Sequence, residues 1–173
     1  MEISKKIFSI FLMVFALFIV SCGDDDDDVK EPDPLVGTYI LSSATLNAEV
    51  TFMGNTWPAG SPITEVVKQL LYNDSPCADG ANTQIILMEN YDVAYGCDSE
   101  NLDPLNLGTW FVNDDRSALT MNLTIQNQPF PLMLENLANV NGDVEGDATN
   151  FPLVDPGDGS LTIANVHIVF EEI

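Results

Sequence analysis

The strict alternation of apolar and polar residues over 119–126, LTMNLTIQ, limits what this chain can fold into more than any other feature. Leu119, Met121, Leu123 and Ile125 fall on one face of an extended chain, and polar residues fall on the other. Alternation with period two and one apolar face is typical of a half-buried antiparallel strand. The segment therefore predicts a sheet that packs on a core through one face.

Further segments favour strands in the same way: residues 36–47, 83–90, 92–97, 108–113, 128–137 and 161–173. Clusters of Asn, Asp, Gly and Pro at 113–115, 141–143 and 155–159 are turn sequences. Many short strands at close spacing indicate a β-sandwich or a β-barrel.

One segment differs and predicts a helix over about residues 62–72. Ser61 is a candidate N-cap, and Pro62 suits the first helical position. The apolar residues that follow recur at helical spacing on one stripe: Ile63, Val66, Val67, Leu70 and Leu71. We expect this stripe to cover an open end or edge of the β structure.

The first 22 residues have the layout of a secretory signal. Lys5 and Lys6 precede an apolar run, residues 7–20, which is shorter than the roughly 20 residues of a spanning helix. Ile19-Val20-Ser21-Cys22 resembles the lipobox of bacterial lipoproteins. The resemblance implies that residues 1–21 are removed and that acyl chains on Cys22 anchor the protein to a membrane. A plain signal peptide with an incidental cysteine is the alternative.

The acidic run Asp24–Asp28 lies directly behind this cysteine. Like charges repel and cannot pack, so residues 22–34 are expected to form a disordered tether. The position of the run is also similar to the export signal that sends some lipoproteins to the outer face of the Gram-negative outer membrane. The resemblance implies a lipid-anchored, cell-surface protein, and a tether without sorting information is the alternative.

The net charge of −22 bears on partners. Nucleic-acid binding requires a basic surface, so that class of function is excluded, and docking on anionic lipid is disfavoured. The length beyond the tether, residues 35–173, suits one domain with its own core. We expect a monomer.

Cys77 and Cys97 form an even pair once Cys22 is assigned to lipid. In an oxidising compartment this favours a disulfide, which stabilises by about 3 kcal/mol for a loop of this size. The alternative is a two-cysteine metal site, but the only histidine, His167, is far along the chain.

The order of motifs resembles bacterial lipocalin-like domains. LVGTYILSSATLN at 35–47 is followed by the helix, a cysteine, a hairpin, the second cysteine, Gly108-Thr109-Trp110 and an alternating strand. Tyr39 stands where that family usually has Trp. The resemblance implies an all-β fold, an antiparallel up-and-down β-barrel with one short helix. Such a barrel holds either packed side chains or one small ligand.

The expected barrel interior is the first candidate site. It consists of apolar residues that either bind a small apolar ligand or form a plain packed core: Tyr39, Leu41, Trp110, Leu119, Met121, Leu123, Phe130, Val166, Ile168 and Phe170. Tyr39 and Trp110 are expected near an end of the barrel.

The second candidate is an acidic ladder in NVNGDVEGD. Oxygen-bearing side chains recur at every second residue: Asn139, Asn141, Asp143, Glu145 and Asp147. Calcium prefers such ligands, so the last four are a candidate calcium site. The alternative is a solvated strand face and turn.

No sequence pattern for catalysis stands out. Nucleophilic hydrolysis pairs a nucleophile with a base, and His167 lies on the polar face of the last predicted strand. Phosphate-loop, dinucleotide and zinc-protease motifs are missing from the sequence. We therefore expect a surface-tethered, non-enzymatic lipoprotein whose barrel binds a small apolar ligand. The alternative is a structural or interaction protein with a filled barrel that calcium stabilises.

Overall fold

The computed structural model describes residues 31–78, 80–98, 100, 102–155 and 157–173. The predicted signal, Cys22 and the Asp24–Asp28 run lie outside these residues. Residues Pro32–Ile173 form one compact unit. Within the described ranges, no helix combines the length and apolarity needed to cross a bilayer.

The chain forms ten strands and one α-helix in the described ranges. The strands are β1 (Gly37–Leu46), β2 (Val50–Phe52), β3 (Asn55–Trp57), β4 (Thr83–Leu87), β5 (Asp92–Cys97), β6 (Leu105–Val112), β7 (Ala118–Ile125), β8 (Gln128–Val140), β9 (Asp143–Val154) and β10 (Leu161–Glu172), and the helix is α1 (Thr64–Leu71).

Eight of the strands close into an antiparallel up-and-down barrel, as predicted. Strands β4 to β10 pair in sequence order, and β1 pairs with both β10 and β4 to close the ring. Closure leaves the barrel with few free edges on which another chain could pair. The β2–β3 hairpin and α1 are inserted between β1 and β4.

The two ends of the barrel differ in what covers them. At the end that we call the N-terminal end, Leu35 precedes β1, and the turns at 88–91, 113–117 and 141–142 connect the strands. At the opposite end, the helix end, α1 packs on β1 and β9. Val67 and Leu71 of α1 are buried there, so the helix covers the barrel end, as expected from its apolar stripe.

The helix starts differently from the prediction. Ser61 does not cap it, because its hydroxyl donates to the Pro58 carbonyl, and Pro62 forms a β-bridge with Thr45. The helix begins at Thr64, whose hydroxyl accepts the Ala44 N–H at 3.0 Å. Tertiary pairing with β1 therefore sets the start of α1, and the local capping pattern does not.

Strand β9 was predicted only in part, through the solvated strand face that is the alternative to the calcium site at 139–147; its second half was not predicted. Its inward positions include Gly146 and Ala148, which give a weak apolar signal although both are buried. Gly146 is required by packing, because a Cβ there would lie 2.9 Å from the Glu135 carbonyl oxygen. The β2–β3 hairpin was also not predicted, since strands of three residues show too little alternation.

Candidate functional site

The predicted interior residues do form the core of the barrel. Eight of the nine proposed ligand-binding residues are buried: Tyr39, Leu41, Trp110, Leu119, Met121, Leu123, Ile168 and Phe170. Phe130 is half-buried and packs edge to face on Phe151, with ring centroids 5.9 Å apart. Val166 is also buried. The alternation in the sequence thus identified the inward face correctly.

The void that lies among these side chains is small. A void of about 10 Å³ lies between residues of β1, β4, β7, β9 and β10, and it is lined by Tyr39, Ile85, Leu87, Leu119, Met121, Val144 and Phe170. Holding a single water requires roughly 10–15 Å³. The void has no room for a small ligand unless side chains move.

Aromatic side chains close the N-terminal end. The Tyr39 hydroxyl donates to the Leu35 carbonyl at 2.9 Å, and the Trp110 indole donates to the Met88 carbonyl at 3.0 Å. Burial, with the carboxylates of Glu172 and Asp33, raises the pKa of Tyr39 to about 12. The placement of Tyr39 and Trp110 near one end is confirmed.

The structure explains why the Gly-Thr-Trp sequence begins with glycine. Gly108 lies against β7 so closely that a Cβ would be 1.9 Å from the Asn122 carbonyl oxygen. A side chain at 108 would therefore push β6 away from β7 and shift Trp110.

Two tyrosines that the sequence interpretation did not single out close the helix end. The Tyr72 hydroxyl accepts the Leu41 N–H at 2.9 Å beside a β-bulge in β1, and the Tyr95 hydroxyl donates to the Leu71 carbonyl at the end of α1. Burial raises the pKa of Tyr72 to about 12 and also raises that of Tyr95. Both rings are apolar plugs whose hydroxyls satisfy backbone groups.

Cys77 and Cys97 form the predicted disulfide, with an S–S distance of 2.10 Å and Cα atoms 5.5 Å apart. It fastens the segment after α1 to the end of β5. His167 contacts carboxylates on β9 instead, so the alternative metal site with these cysteines does not form.

The calcium candidates lie along one region, and the three carboxylates among them already have partners within the chain. Asn141 is in the β8–β9 turn with φ of 58°, and Asp143 accepts the Glu172 N–H. Glu145 and Asp147 lie on the outward face of β9. Among the described residues, no three His, Cys, Asp or Glu side chains are grouped so that they could hold a metal ion. The geometry therefore gives the calcium prediction no support.

Asp147 is the centre of a polar cluster on the outer wall. It accepts the side-chain amides of Asn47 and Asn136, each at 2.9 Å, and contacts His167 Nδ1 at 3.0 Å. Hydrogen bonds from Asn136, Asn47 and His167 hold the pKa of Asp147 below its ordinary value. The cluster joins β1, β8, β9 and β10 through side chains.

His167 has carboxylate neighbours on both ring nitrogens. Nε2 lies 3.8 Å from Glu145, in addition to the Nδ1 contact with Asp147. A catalytic base for acyl transfer holds a serine or cysteine on one nitrogen. No such nucleophile is hydrogen-bonded to His167 in the part of the chain that the structure describes.

The start of the compact unit is fixed to the barrel. Arg116, in the β6–β7 turn, makes two 2.9 Å hydrogen bonds to the Asp33 carboxylate, and Asn139 donates to the Pro34 carbonyl at 3.2 Å. The compact unit thus begins at Pro32, ahead of the predicted boundary at Leu35. Arg116 and Lys68 are the only basic residues in 32–173.

Comparisons with models of known protein families and with curated proteins give no match to this chain. The lipoprotein and lipocalin-like resemblances therefore depend on the residues quoted above, and the fold depends on the structure.

Proposed function

We propose that this protein is a lipid-anchored, non-enzymatic lipoprotein whose barrel is a filled, rigid scaffold for recognition at its outer surface. The observation that carries the proposal is the barrel interior, which holds packed side chains and a void of only about 10 Å³. Ligand sites in proteins usually have about 300–1,000 Å³. A filled barrel is therefore better suited to presenting a surface than to carrying a ligand inside.

The attachment of the chain supports an orientation for this scaffold. Asp33 is bound by Arg116 at the N-terminal end, so the segment that leads back to Cys22 leaves the barrel there. Cys22 and Pro32 are ten positions apart in the chain, a separation that spans at most about 35 Å. With acyl chains on Cys22, the N-terminal end is the end through which the barrel is attached, and the helix end is the end away from the attachment.

The charge supports the same placement. The chain carries a net charge of −22, and anionic membrane surfaces repel such a protein. The Asp24–Asp28 run adds charge close to the anchor, where it extends the tether. We place the protein on the outer membrane of a Gram-negative bacterium, with the helix end exposed on the cell surface.

The test of the scaffold uses a neutral fluorescent probe, N-phenyl-1-naphthylamine, and native mass spectrometry of protein purified from its own host. We expect no internal probe binding and no co-purifying small molecule. The Leu119→Ala variant is the positive control, because it opens space beside the existing void. A stoichiometric apolar ligand inside the wild-type barrel would refute the scaffold and restore the carrier alternative.

The test of the anchor compares the wild-type chain with Cys22→Ala and with replacement of Asp24–Asp28 by alanine. We expect acyl labelling and membrane retention to require Cys22. We expect protease added to intact cells to reach the wild-type protein and to reach the alanine-run variant much less. Equal cleavage of the wild-type protein and the alanine-run variant would show that the acidic run carries no export signal and serves only as a tether.

A further inference from the structure

The barrel wall opens between β8 and β9 near the helix end. Their ladder runs from the Leu134–Ala148 pair to the Val140–Asp143 pair. Above it, residues 128–133 pair with β7, and residues 151–154 pair with β10. No pairing joins these two segments to each other, although the structure describes both completely.

Prolines keep the two segments apart. Pro129 and Pro131 occupy alternate positions of β8, and Pro152 lies in the facing part of β9. Proline has no N–H to donate, so within sheets it is confined to edges and to places where pairing ends. Side chains bridge the opening from within, through the edge-to-face contact of Phe130 with Phe151.

A cleft of about 170 Å³, partly open to solvent, lies next to this opening, between α1, the β7–β8 turn and β9. Its lining combines four apolar side chains with three side-chain amides: Val66, Leu70, Pro152 and Val154, and Gln69, Asn73 and Gln126. An apolar cavity of about 150 Å³ is enough to bind benzene. The volume thus matches one ring-sized apolar group, and the amides can bond to a polar group attached to it.

The charges around the cleft select among such molecules. None of its seven lining residues is charged. The Asp74 carboxylate accepts the Gln126 N–H at the rim, and Asp155 follows Val154 directly. Lys68, the cation on α1, lies 3.8 Å from Glu65. A neutral or cationic molecule fits this environment better than an anion.

We propose that the cleft between α1 and β9 binds a small molecule with one apolar ring and a neutral or cationic polar group. The inference rests on the proposed scaffold function and gives it a site. The site lies at the helix end, away from the Asp33–Arg116 attachment, so it stays accessible when the chain is anchored.

The experiment uses the mature chain in zwitterionic lipid nanodiscs and methyl NMR. The probes are 2-phenylethylammonium, 2-phenylethanol and phenylacetate, which share the ring and differ in charge. We expect saturable shifts at Val66, Leu70 and Val154 with the first two probes. Phenylacetate should bind about threefold to tenfold more weakly than 2-phenylethylammonium, because the negative charges of Asp74 and Asp155 near the cleft repel its carboxylate.

A matched pair of variants shows whether the probes bind in the cleft. Val154 and Val140 are similarly exposed, at 46% and 48%, but Val140 is the last residue of β8 and lies at the N-terminal end of the barrel, opposite the cleft. Val154→Trp should fill the cleft and abolish the shifts at Val66 and Leu70. Val140→Trp should leave them unchanged, and the melting temperature of both variants checks that they are folded.

Each contrary outcome overturns either the cleft proposal alone or the cleft and scaffold proposals together. Absence of shifts at the cleft up to the solubility limit of the probes refutes the cleft and leaves the scaffold standing. Saturable shifts at Leu119 and Met121 instead refute both, because the ligand would then be inside the barrel. Concentration-dependent shifts at Val154 without any probe would make a second copy of this chain the occupant and overturn the small-molecule proposal.

Discussion

The filled interior can be tested through one leucine. Leu119 is 1% exposed and borders the small void together with Met121 and Phe170. Replacing it with alanine removes three carbon atoms from the core, worth about 2.4 kcal/mol of transfer free energy at ~0.8 kcal/mol per CH₂. The closed ladder prevents the wall from collapsing, so a cavity term adds to this, and the total loss should be about 3–4 kcal/mol.

Urea unfolding, followed by the fluorescence of buried Trp110, measures this loss. With a slope of about 2 kcal/mol per M, the midpoint of Leu119→Ala should fall by roughly 1.5–2 M. Leu161→Ala is the control, because Leu161 is 62% exposed; it should change the stability by less than about 0.5 kcal/mol. If Leu119→Ala costs under about 1 kcal/mol, the interior is not tightly packed and the scaffold reasoning fails.

Three further perturbations test other parts of the structure. Burial raises the pKa of Tyr72 to about 12. Above pH 10 the Tyr72 hydroxyl therefore ionises in the unfolded state before it ionises in the folded state, and the free energy of unfolding should fall by about 2–3 kcal/mol by pH 12. A free energy of unfolding that stays constant between pH 10 and pH 12 contradicts the burial. Replacing Cys77 and Cys97 by serine should lower the unfolding free energy by about 3 kcal/mol, and a denaturation midpoint equal to that of the wild type would show that the loop is not constrained. Asp147→Ala leaves three donors without their acceptor and should cost about 1–2 kcal/mol at pH 7. Because the pKa of Asp147 is lowered, this cost should shrink as the pH falls below about 4, and a cost that stays constant down to pH 2 argues against the cluster.

The residue pattern within single segments was enough to predict much of the barrel wall. The alternation at 119–126 predicted β7 and its inward face, and the segment 92–97 coincides with β5. Apolar alternation did not reveal the inward face of β9, because Gly146 and Ala148 point inward but are small. Their size is set by the opposite strand, which alternation within one segment does not record.

The acidic ladder shows the same limit. The spacing of Asp143, Glu145 and Asp147 correctly predicted side chains on one outward face. Their partners come from distant positions, such as Asn47 and Asn136 for Asp147. Only the register of four neighbouring strands decides that these carboxylates bind amides and a histidine.

The sequence by itself determined the all-β class, the inward faces of β7 and β10, the cysteine pairing and the strongly acidic character. These properties depend on residue type and on spacing within one segment, which are local. The tertiary structure alone decided that side chains of five strands pack around a void of about 10 Å³, that Tyr72 and Tyr95 close the helix end, and that β8 and β9 diverge beside α1. Free space and openings depend on how side chains from several strands meet, and this is fixed only when the ring closes.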